Sequence, residues 1–199
     1  MIAEIIKYPN PILKKKSEEI KEITEEIKDF CQSLAKTMVE SQGVGLSAPQ
    51  VGELKRIIVI QTEKGGEENK FSSSATELLR RKSEGGKEAR LFNFAVARVP
   101  EVFLNPKIIK KSKETEIGEE GCLSFPGFFL KVKRAKKVEI EALDLEGRKI
   151  QIKAEGLIAR VFQHEIDHLE GILFINRIGV GRRIWELLKF YRQSKRLWI

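Results

Sequence analysis

The sequence predicts an α+β fold in a single domain that spans residues 1–199. Three observations lead to this prediction: helical periodicity in separate segments, alternation typical of antiparallel strands, and no regular strand–helix–strand repeat. We expect antiparallel or mixed β-sheets packed around a central helix, with an N-terminal helix and a basic C-terminal helix. The chain has 199 residues, of which 41% are hydrophobic, so it is large enough to bury such a core.

The N-terminal helix is predicted from about Ser17 to 41–43, because Ser17 and the two glutamates after it form a helix-start signal. Apolar residues recur at spacings of three and four and share one face. They are Ile20, Ile23, Ile27, Phe30, Cys31, Leu34 and Met38. A glycine-rich turn follows at 43–50, and Arg56–Ile60 has the composition of a short buried strand.

Residues 61–98 differ in composition from the segments on either side. Most of this segment is polar, and it contains two Gly-Gly pairs and a run of three serines. This composition is typical of a long surface loop or insertion, with a helical turn near Ala75–Arg81.

Strand patterns resume after this segment. Lys107–Lys110 and the residues from Ile117 onward are predicted strands. Lys136–Leu145 alternates apolar and polar residues, and Gly147 separates it from Lys149–Ile152. This arrangement predicts a β-hairpin.

Two helical patterns complete the chain, from Leu157 to about Glu170 and from about 182 to 196. Residues 177–199 contain seven Lys or Arg residues and one acidic residue, Glu186. An apolar stripe at helical spacing is predicted at Ile184, Leu187, Leu188 and Tyr191. Such a helix either packs on the body with a solvated basic face or docks on RNA.

Composition and the chain ends exclude several classes. The net charge is +8 and the isoelectric point is about 9.4, which favours contact with acidic surfaces such as RNA. The N-terminus lacks the pattern of a secretory signal, and the apolar runs are shorter than the roughly 20 residues that span a bilayer. We therefore expect a soluble, cytoplasmic protein with no membrane partner. Two cysteines, Cys31 and Cys122, are too few for a disulfide framework.

His164 and His168 are the two histidines of the chain, and both belong to an HExxH motif on the predicted central helix. Residues four apart project from one helix face, so both imidazoles can bind one metal ion. Glu165, next to the first histidine, is placed to act as a general base. Two surface histidines on an ordinary helix are the alternative, but the apolar helical face before the motif favours a metal site.

A catalytic metal of this kind needs a third protein ligand. The third histidine of a metzincin protease would fall at Phe174, which cannot bind metal. Glu186 would be the third ligand in a thermolysin-like protease. Cys122 lies in a Gly- and Pro-bounded segment and gives the simplest complete site, because a thiolate near a divalent cation is readily deprotonated. Cys31 is instead expected to be a buried hydrophobic residue.

Three sequence blocks, in order, resemble the peptide deformylase family. Residues 43–50 (GVGLSAPQ) are similar to the GxGLxAPQ block, residues 120–124 (EGCLS) to the EGCLS block, and residues 163–168 (QHEIDH) to the QHExDH block. Weaker similarity covers most of the chain except about 61–98 and the last twenty residues. Ser47 stands where the family more often has alanine.

The resemblance implies a single catalytic domain that hydrolyses the N-formyl group of formyl-methionine at the start of newly made proteins and releases formate. It implies one divalent metal ion, Fe(II) first, with Zn, Ni or Co as alternatives. The metal ligands would be Cys122, His164 and His168. Glu165 would move a proton from water to the leaving amine. Gln50 and the backbone N–H of Leu123 would hydrogen-bond the formyl oxygen.

The same resemblance implies that Val44 and Gly45 hold the peptide backbone. Leu157 and Val161 share a helix face with His164, and they either line a pocket for the methionine side chain or pack in the core.

Glu120 and Arg134 carry opposite charges on either side of the cysteine block. We expect them to pair and to steady the cysteine block, although each is also compatible with a solvated surface position.

Two other functions stay open from the residues alone. One is an HExxH zinc endopeptidase that uses Glu186 or another third ligand. The other is a basic ribosome- or RNA-binding protein with a degenerate metal site. For a deformylase, the partners would be formyl-methionyl nascent peptides and, through the basic C-terminal helix, the ribosome.

Overall fold

The computed structural model describes residues 2–63 and 98–197, and in these residues the chain is α+β with antiparallel sheets and three α-helices. The α-helices are α1 (Glu25–Glu40), α2 (Gly156–Leu169) and α3 (Val180–Leu197). The strands are β1 (Gly45–Ser47), β2 (Ile57–Glu63), β3 (Arg98–Lys111), β4 (Thr115–Cys122), β5 (Phe125–Ala135), β6 (Lys137–Leu143) and β7 (Lys149–Glu155). Short 3-10 helices occur at Pro11–Lys14, Ala48–Val51 and Phe174–Arg177.

The strands form a five-stranded sheet in the order β1-β2-β3-β6-β7 and a two-stranded ribbon of β4 and β5. Every pairing between these named strands is antiparallel, and β6 and β7 form the predicted hairpin. In the ribbon, the register shifts between Gly121 and Cys122, so that Cys122 lies opposite Phe125. Such a bulge redirects a side chain at the end of a strand.

The prediction that the N-terminal helix begins near Ser17 is wrong, because α1 begins at Glu25. Thr24 caps the helix: its Oγ1 accepts a hydrogen bond from the Ile27 N–H at 3.4 Å. Before it, the backbone N–H of Ser17 donates to the Leu169 carbonyl at 2.8 Å, so this segment pairs with other parts of the chain. Ile20 packs against the same apolar cluster as α1 from this non-helical segment, which explains the misleading periodicity.

The ends of the predicted insertion at 61–98 belong to paired strands. β2 continues through Glu63, and Glu63 lies opposite Arg98 at the start of β3. The helical turn predicted at Ala75–Arg81 lies outside the described residues.

Helix α2 contacts both the five-stranded sheet and the β5 strand of the ribbon. Its residues Ala159–Leu169 are all buried. Phe162 and Ile166 pack on the five-stranded sheet, with the ring of Phe162 5.0 Å from that of Phe103 between centroids. The same helix thus presents an apolar face to the larger sheet and polar side chains toward the ribbon.

Helix α3 is anchored through Phe190, a residue that the apolar stripe predicted from the sequence does not include. Phe190 is buried against Phe125 and Phe128, with ring centroids 5.4 and 5.2 Å apart. Of the predicted apolar stripe, Leu187 packs against the same cluster, whereas Ile184 and Leu188 are more than half exposed. No α-helix within residues 2–63 and 98–197 is both long and apolar enough to cross a lipid bilayer.

We predict that Gly171→Ala lowers the free energy of unfolding by about 2 kcal/mol or more. Gly171 has a φ of +70°, and an added Cβ would lie 2.4 Å from the Lys14 carbonyl oxygen. A left-handed conformation alone costs other residues roughly 1–2 kcal/mol. Urea denaturation measures the loss. The control is Gly179→Ala, where an added Cβ has no neighbour within 4 Å. Equal midpoints for the two variants would contradict the prediction.

Candidate metal centre

Cys122, His164 and His168 each place one ligand atom within 4.8 Å of the other two. The Sγ of Cys122 lies 3.3 Å from the Nε2 of His168, and the two imidazole centroids are 5.0 Å apart. In a tetrahedral site with metal–sulfur and metal–nitrogen bonds of about 2.3 and 2.1 Å, sulfur and nitrogen are roughly 3.6 Å apart. The observed spacing is therefore close to that of a metal site, and the Cys/His/His donor set suits Zn or Fe(II).

Two elements bring these ligand atoms together. The histidines lie one turn apart on α2, and both are buried. Cys122 is half-buried at the end of β4, directly after the bulge in the ribbon. Because α2 contacts the ribbon, the spacing of the histidines within the helix fixes two ligands, and the ribbon supplies the third.

The hydrogen bond of His164 fixes its tautomer. Its Nδ1 lies 3.0 Å from Oε2 of Glu120, and a carboxylate only accepts, so Nδ1 carries the hydrogen. In the neutral ring, Nε2 has the lone pair that a metal requires, so a cation that binds there displaces any proton on Nε2. Burial disfavours the charged form of His164, but hydrogen bonds with Cys122 and Glu120 outweigh burial and raise its pKa.

The pKa of His168 shifts in the direction opposite to that of His164. Burial, together with the charges of His164 and Arg134, lowers the pKa of His168 well below its usual value. Its imidazole is therefore neutral at physiological pH, which is the form that binds metal. Its Nδ1 is buried and makes no hydrogen bond to any described residue.

Glu165 is 4% exposed, and burial raises its pKa to about 7 against the opposing effects of His164 and the Ser47 hydroxyl. Its Oε2 is buried and has no hydrogen-bond partner within the described segments. Gly45 makes room for it, since an added Cβ would lie 2.6 Å from Oε1. A carboxyl group with a pKa near 7 can accept and return a proton at neutral pH.

Gln50 is buried with its amide in a fixed orientation. Its Oε1 accepts hydrogen bonds from the backbone N–H of Ser47 at 2.9 Å and from the Ser47 hydroxyl at 2.8 Å. A backbone N–H can only donate, so the amide nitrogen must point the other way. That nitrogen lies 3.4 Å from the Sγ of Cys122 and 3.3 Å from the Oγ of Ser124. The donor of Gln50 therefore faces the ligand atoms.

No role was predicted for Ser47 from the sequence, but its hydroxyl and its N–H both orient the Gln50 amide.

Leu123 follows Cys122 at the end of β4, and its carbonyl accepts a hydrogen bond from Lys7 at 2.8 Å. Whether its N–H binds substrate stays a prediction.

Four residues were assigned to the substrate. Val44 is 45% exposed, and Gly45 is buried at the edge of the larger sheet. Leu157 and Val161 both belong to the apolar cluster that α2 forms with this sheet. Val161 also borders Gly45, because its Cγ1 would lie 2.8 Å from a Cβ added there. The pocket role of these two residues stays a prediction.

Glu120 and Arg134 form a buried, two-point ion pair. The Nε and Nη2 of Arg134 donate to the two carboxylate oxygens of Glu120 at 2.9 and 3.0 Å. Burial by itself would raise the pKa of Glu120, but the hydrogen bonds from His164 and Arg134 hold it well below its usual range. Glu120 is therefore ionised and can accept the hydrogen of His164.

Sequence reasoning missed three charged residues around this pair. Arg160 donates to Glu120, while Asp167 accepts hydrogen bonds from both Arg134 and Arg177. Asp167 stands inside the QHEIDH block and could have been found there. Arg160 lies four residues before His164, so helical spacing alone places the two on one face.

Glu186, the alternative third ligand, does not belong to the candidate metal centre. The Glu186 carboxylate is on α3, 3.8 Å from the Nε of Arg182 and 3.6 Å from the Nζ of Lys189. Phe174 packs its ring 5.8 Å from that of His164 and offers no donor atom. The group of possible ligands found in the described residues contains Cys122 and excludes Glu186.

An HExxH histidine pair with a third ligand and a buried glutamate beside it is typical of a mononuclear, metal-dependent hydrolase. The family model of polypeptide deformylase matches residues 2–183. The chain is 40% identical to the peptide deformylase of Thermodesulfovibrio yellowstonii, over 92% of each chain. It is 33% identical to that of Rhizobium meliloti, over 98% of this chain and 95% of the relative. The chain therefore belongs to the polypeptide deformylase family.

Solved structures agree with this assignment. The fold is similar to that of the peptide deformylase of Ehrlichia chaffeensis in complex with actinonin, with a TM-score of 0.75 and 31% identity over 96% of this chain and 97% of that one. It is also similar to the peptide deformylase of Thermotoga maritima, with a TM-score of 0.71 and 31% identity over 90% and 99% of the two chains.

We predict that Cys122→Ala abolishes tight metal binding, with a loss of affinity of roughly 100-fold or more, because it removes one of three protein ligands. Metal content after dialysis against a weak chelator measures the effect. Cys31→Ala is the matched control, since Cys31 is buried in the cluster of α1 and should affect stability but not metal content. Tight binding by Cys122→Ala would instead support a site with another third ligand.

Proposed function

We propose that this protein hydrolyses the N-formyl amide of formyl-methionine at the start of newly made proteins, with release of formate. The observation that carries this proposal is the convergence of Glu165 and the amide nitrogen of Gln50 on one three-ligand centre. Hydrolysis of an amide needs a proton acceptor for water and donors for the oxygen that gains charge, and these two side chains supply both.

We propose Cys122, His164 and His168 as the ligands of one divalent cation, Fe(II), with Zn, Ni or Co as alternatives. When bound, the cation would lower the pKa of water toward 7 and polarise the formyl oxygen.

Glu165 takes a proton from the attacking water and returns it to the amine nitrogen. The water oxygen forms a bond to the formyl carbon, the carbon–nitrogen bond breaks, and the products are formate and a free N-terminal amine. The pKa of about 7 that burial gives Glu165 suits both proton transfers at neutral pH.

Gln50 and the backbone N–H of Leu123 donate hydrogen bonds to the formyl oxygen as it becomes negative. The hydrogen bonds from Ser47 hold the Gln50 amide in this orientation before substrate binds, so little reorganisation is needed. Loss of one such donor typically costs roughly 2.7–4 kcal/mol of transition-state stabilisation.

The peptide binds along β1 in this proposal. β1 is the edge strand of the larger sheet, and Val44 and Gly45 lie at its start, where an extended peptide would bind their backbone. The Val44 carbonyl already accepts the N–H of Gln61 at 2.9 Å, so the peptide would use other backbone groups of this pair. Leu157 and Val161 border the methionine side chain. The helix α2 is then the central element, because it carries two ligands, the proton acceptor and part of this pocket.

We also propose that the activity is cytoplasmic and that α3 docks on the ribosome. Its exposed surface combines basic residues with apolar ones, among them Arg182, Lys189, Arg192, Ile184 and Trp185. The Nζ of Lys189 lies 3.8 Å from the Trp185 ring centroid. Basic side chains neutralise RNA phosphates, and this contribution weakens as salt rises.

We predict that Glu165→Gln lowers the rate of formate release from a formyl-Met peptide by roughly 100-fold or more and leaves metal content unchanged. The amide has the shape of the carboxylate but cannot accept the proton. The protein is purified without oxygen, and formate and metal are assayed on the same sample.

The control is Glu170→Gln, on the turn after α2, where the carboxylate pairs with Arg56 rather than with the ligands. Absence of formate release by the metal-loaded native protein would reject the proposed function. Cleavage of internal peptide bonds would favour the endopeptidase alternative, and RNA binding without hydrolysis would favour a degenerate site.

For the ribosome contact, we predict that replacing Arg182, Lys189 and Arg192 together by Gln reduces cosedimentation with ribosomes several-fold at low salt. Deletion of α3 is a poorer test, because Phe190 is part of the core. Formate release from a short peptide should stay unchanged. Equal pelleting of variant and native protein across a salt series would reject the docking proposal.

A further inference from the structure

Arg160 is a buried arginine to which nothing above assigns a role in the reaction. It lies on α2, four residues before His164, and is 8% exposed. Its guanidinium donates to Oε1 of Glu120 at 2.8 Å. It also donates to the backbone carbonyls of Val132 at 2.9 Å, of Glu116 at 3.0 Å and of Gly118 at 3.4 Å.

With Arg160 in place, both carboxylate oxygens of Glu120 have two donors each. Oε1 accepts from Arg160 at 2.8 Å and from the Nε of Arg134 at 2.9 Å. Oε2 accepts from the Nη2 of Arg134 at 3.0 Å and lies 3.0 Å from the Nδ1 of His164. The carboxylate therefore cannot rotate about its last torsion without breaking a charged hydrogen bond.

Arg160 and Arg134 are not equivalent partners. Arg134 lies on β5 and also binds Asp167, so its position depends on two carboxylates. Arg160 lies on the same helix as His164, one turn away. It therefore fixes the Glu120 carboxylate relative to the helix that carries the imidazole.

Gly118 on β4 leaves the space that the Arg160 side chain occupies. A Cβ added at Gly118 would lie 2.7 Å from Nη2 and 2.8 Å from Cζ of Arg160. Both atoms belong to a guanidinium that is held by several hydrogen bonds and cannot move away without breaking them. The guanidinium of Arg160 therefore occupies space that a side chain at position 118 would need.

We infer that Arg160 is a positioning residue for the metal centre. It orients Glu120, Glu120 orients the Nδ1–H of His164, and the Nε2 of His164 is thereby kept toward Cys122 and His168. The inference rests on the metal centre of the proposed function but not on its substrate. Residues that orient a metal-binding histidine typically contribute 10- to 100-fold to metal affinity.

The experiment measures release of Zn(II) from the loaded protein to a chromophoric chelator, and the visible spectrum of the Co(II)-loaded protein. Arg160→Met, which keeps much of the side-chain volume, should release Zn(II) roughly 10- to 100-fold faster and change the Co(II) spectrum. Gly118→Ala should change both readouts in the same direction, because it displaces the guanidinium without removing it. Arg160→Lys, which keeps the charge but has fewer donors, should lie between Arg160→Met and the native protein.

The matched control is Arg56→Met. Arg56 is also a buried arginine, and it pairs with Glu170 just after α2 without contacting Glu120. It should lower the thermal unfolding midpoint and leave Zn(II) release at the native rate. Faster release in Arg56→Met equal to that in Arg160→Met would overturn the inference, because general destabilisation would then explain both.

Native release rates and Co(II) spectra in folded Arg160→Met and Gly118→Ala would also overturn it. If Arg160→Met fails to fold, Gly118→Ala and Arg160→Lys decide by the same criteria. A native protein that binds metal but releases no formate would reject the proposed function and leave this inference standing. A native protein that binds no metal would reject both.

Discussion

The structure around the candidate centre depends on one buried carboxylate, that of Glu120. A buried charge is costly unless it is paired and hydrogen-bonded, and Glu120 meets this condition with two guanidiniums and one imidazole. Removal of one partner from such a group leaves an uncompensated charge, which is strongly destabilising. The carboxylate thus makes the docking of the ribbon on α2 and the orientation of His164 parts of a single arrangement.

Helix α2 is buried on most of its surface, and it nevertheless carries the polar side chains of the candidate centre. A helix that is buried on most of its surface normally consists of apolar residues, yet this one buries Gln163, Glu165 and Asp167 as well as both histidines. Gln163 shows how the cost is offset: its side-chain amide exchanges hydrogen bonds with both the N–H and the carbonyl of Ala135. In contrast, Glu165 keeps one buried oxygen without a described partner, which is compatible with the proton transfer that we propose for it.

Much of this arrangement could be predicted from local patterns. Period-two alternation identified the β6–β7 hairpin, and i, i+4 spacing placed both histidines on one helix face. The start of α1 was wrong because Ile20 packs on the same cluster without being helical, and periodicity reports burial rather than backbone conformation. The anchoring role of Phe190 in α3 was not predicted, because it depends on aromatic contacts with residues that are distant in the sequence. The contacts of Arg160 were not predicted, because its hydrogen-bond partners belong to β4 and β5, which are distant in the sequence. No local sequence pattern shows that a charged residue on a helix is buried.

The aromatic cluster beside Cys122 joins segments that are far apart in the sequence. Phe125, opposite Cys122 across the bulge, stacks on Tyr8 at 4.6 Å and packs on Phe190 at 5.4 Å between ring centroids. Tyr8 and Phe190 are distant in the sequence, because one precedes α1 and the other belongs to α3. Contacts between such distant segments cost loop-closure entropy when they form, so the surroundings of the cysteine are expected to form late in the folding of this domain.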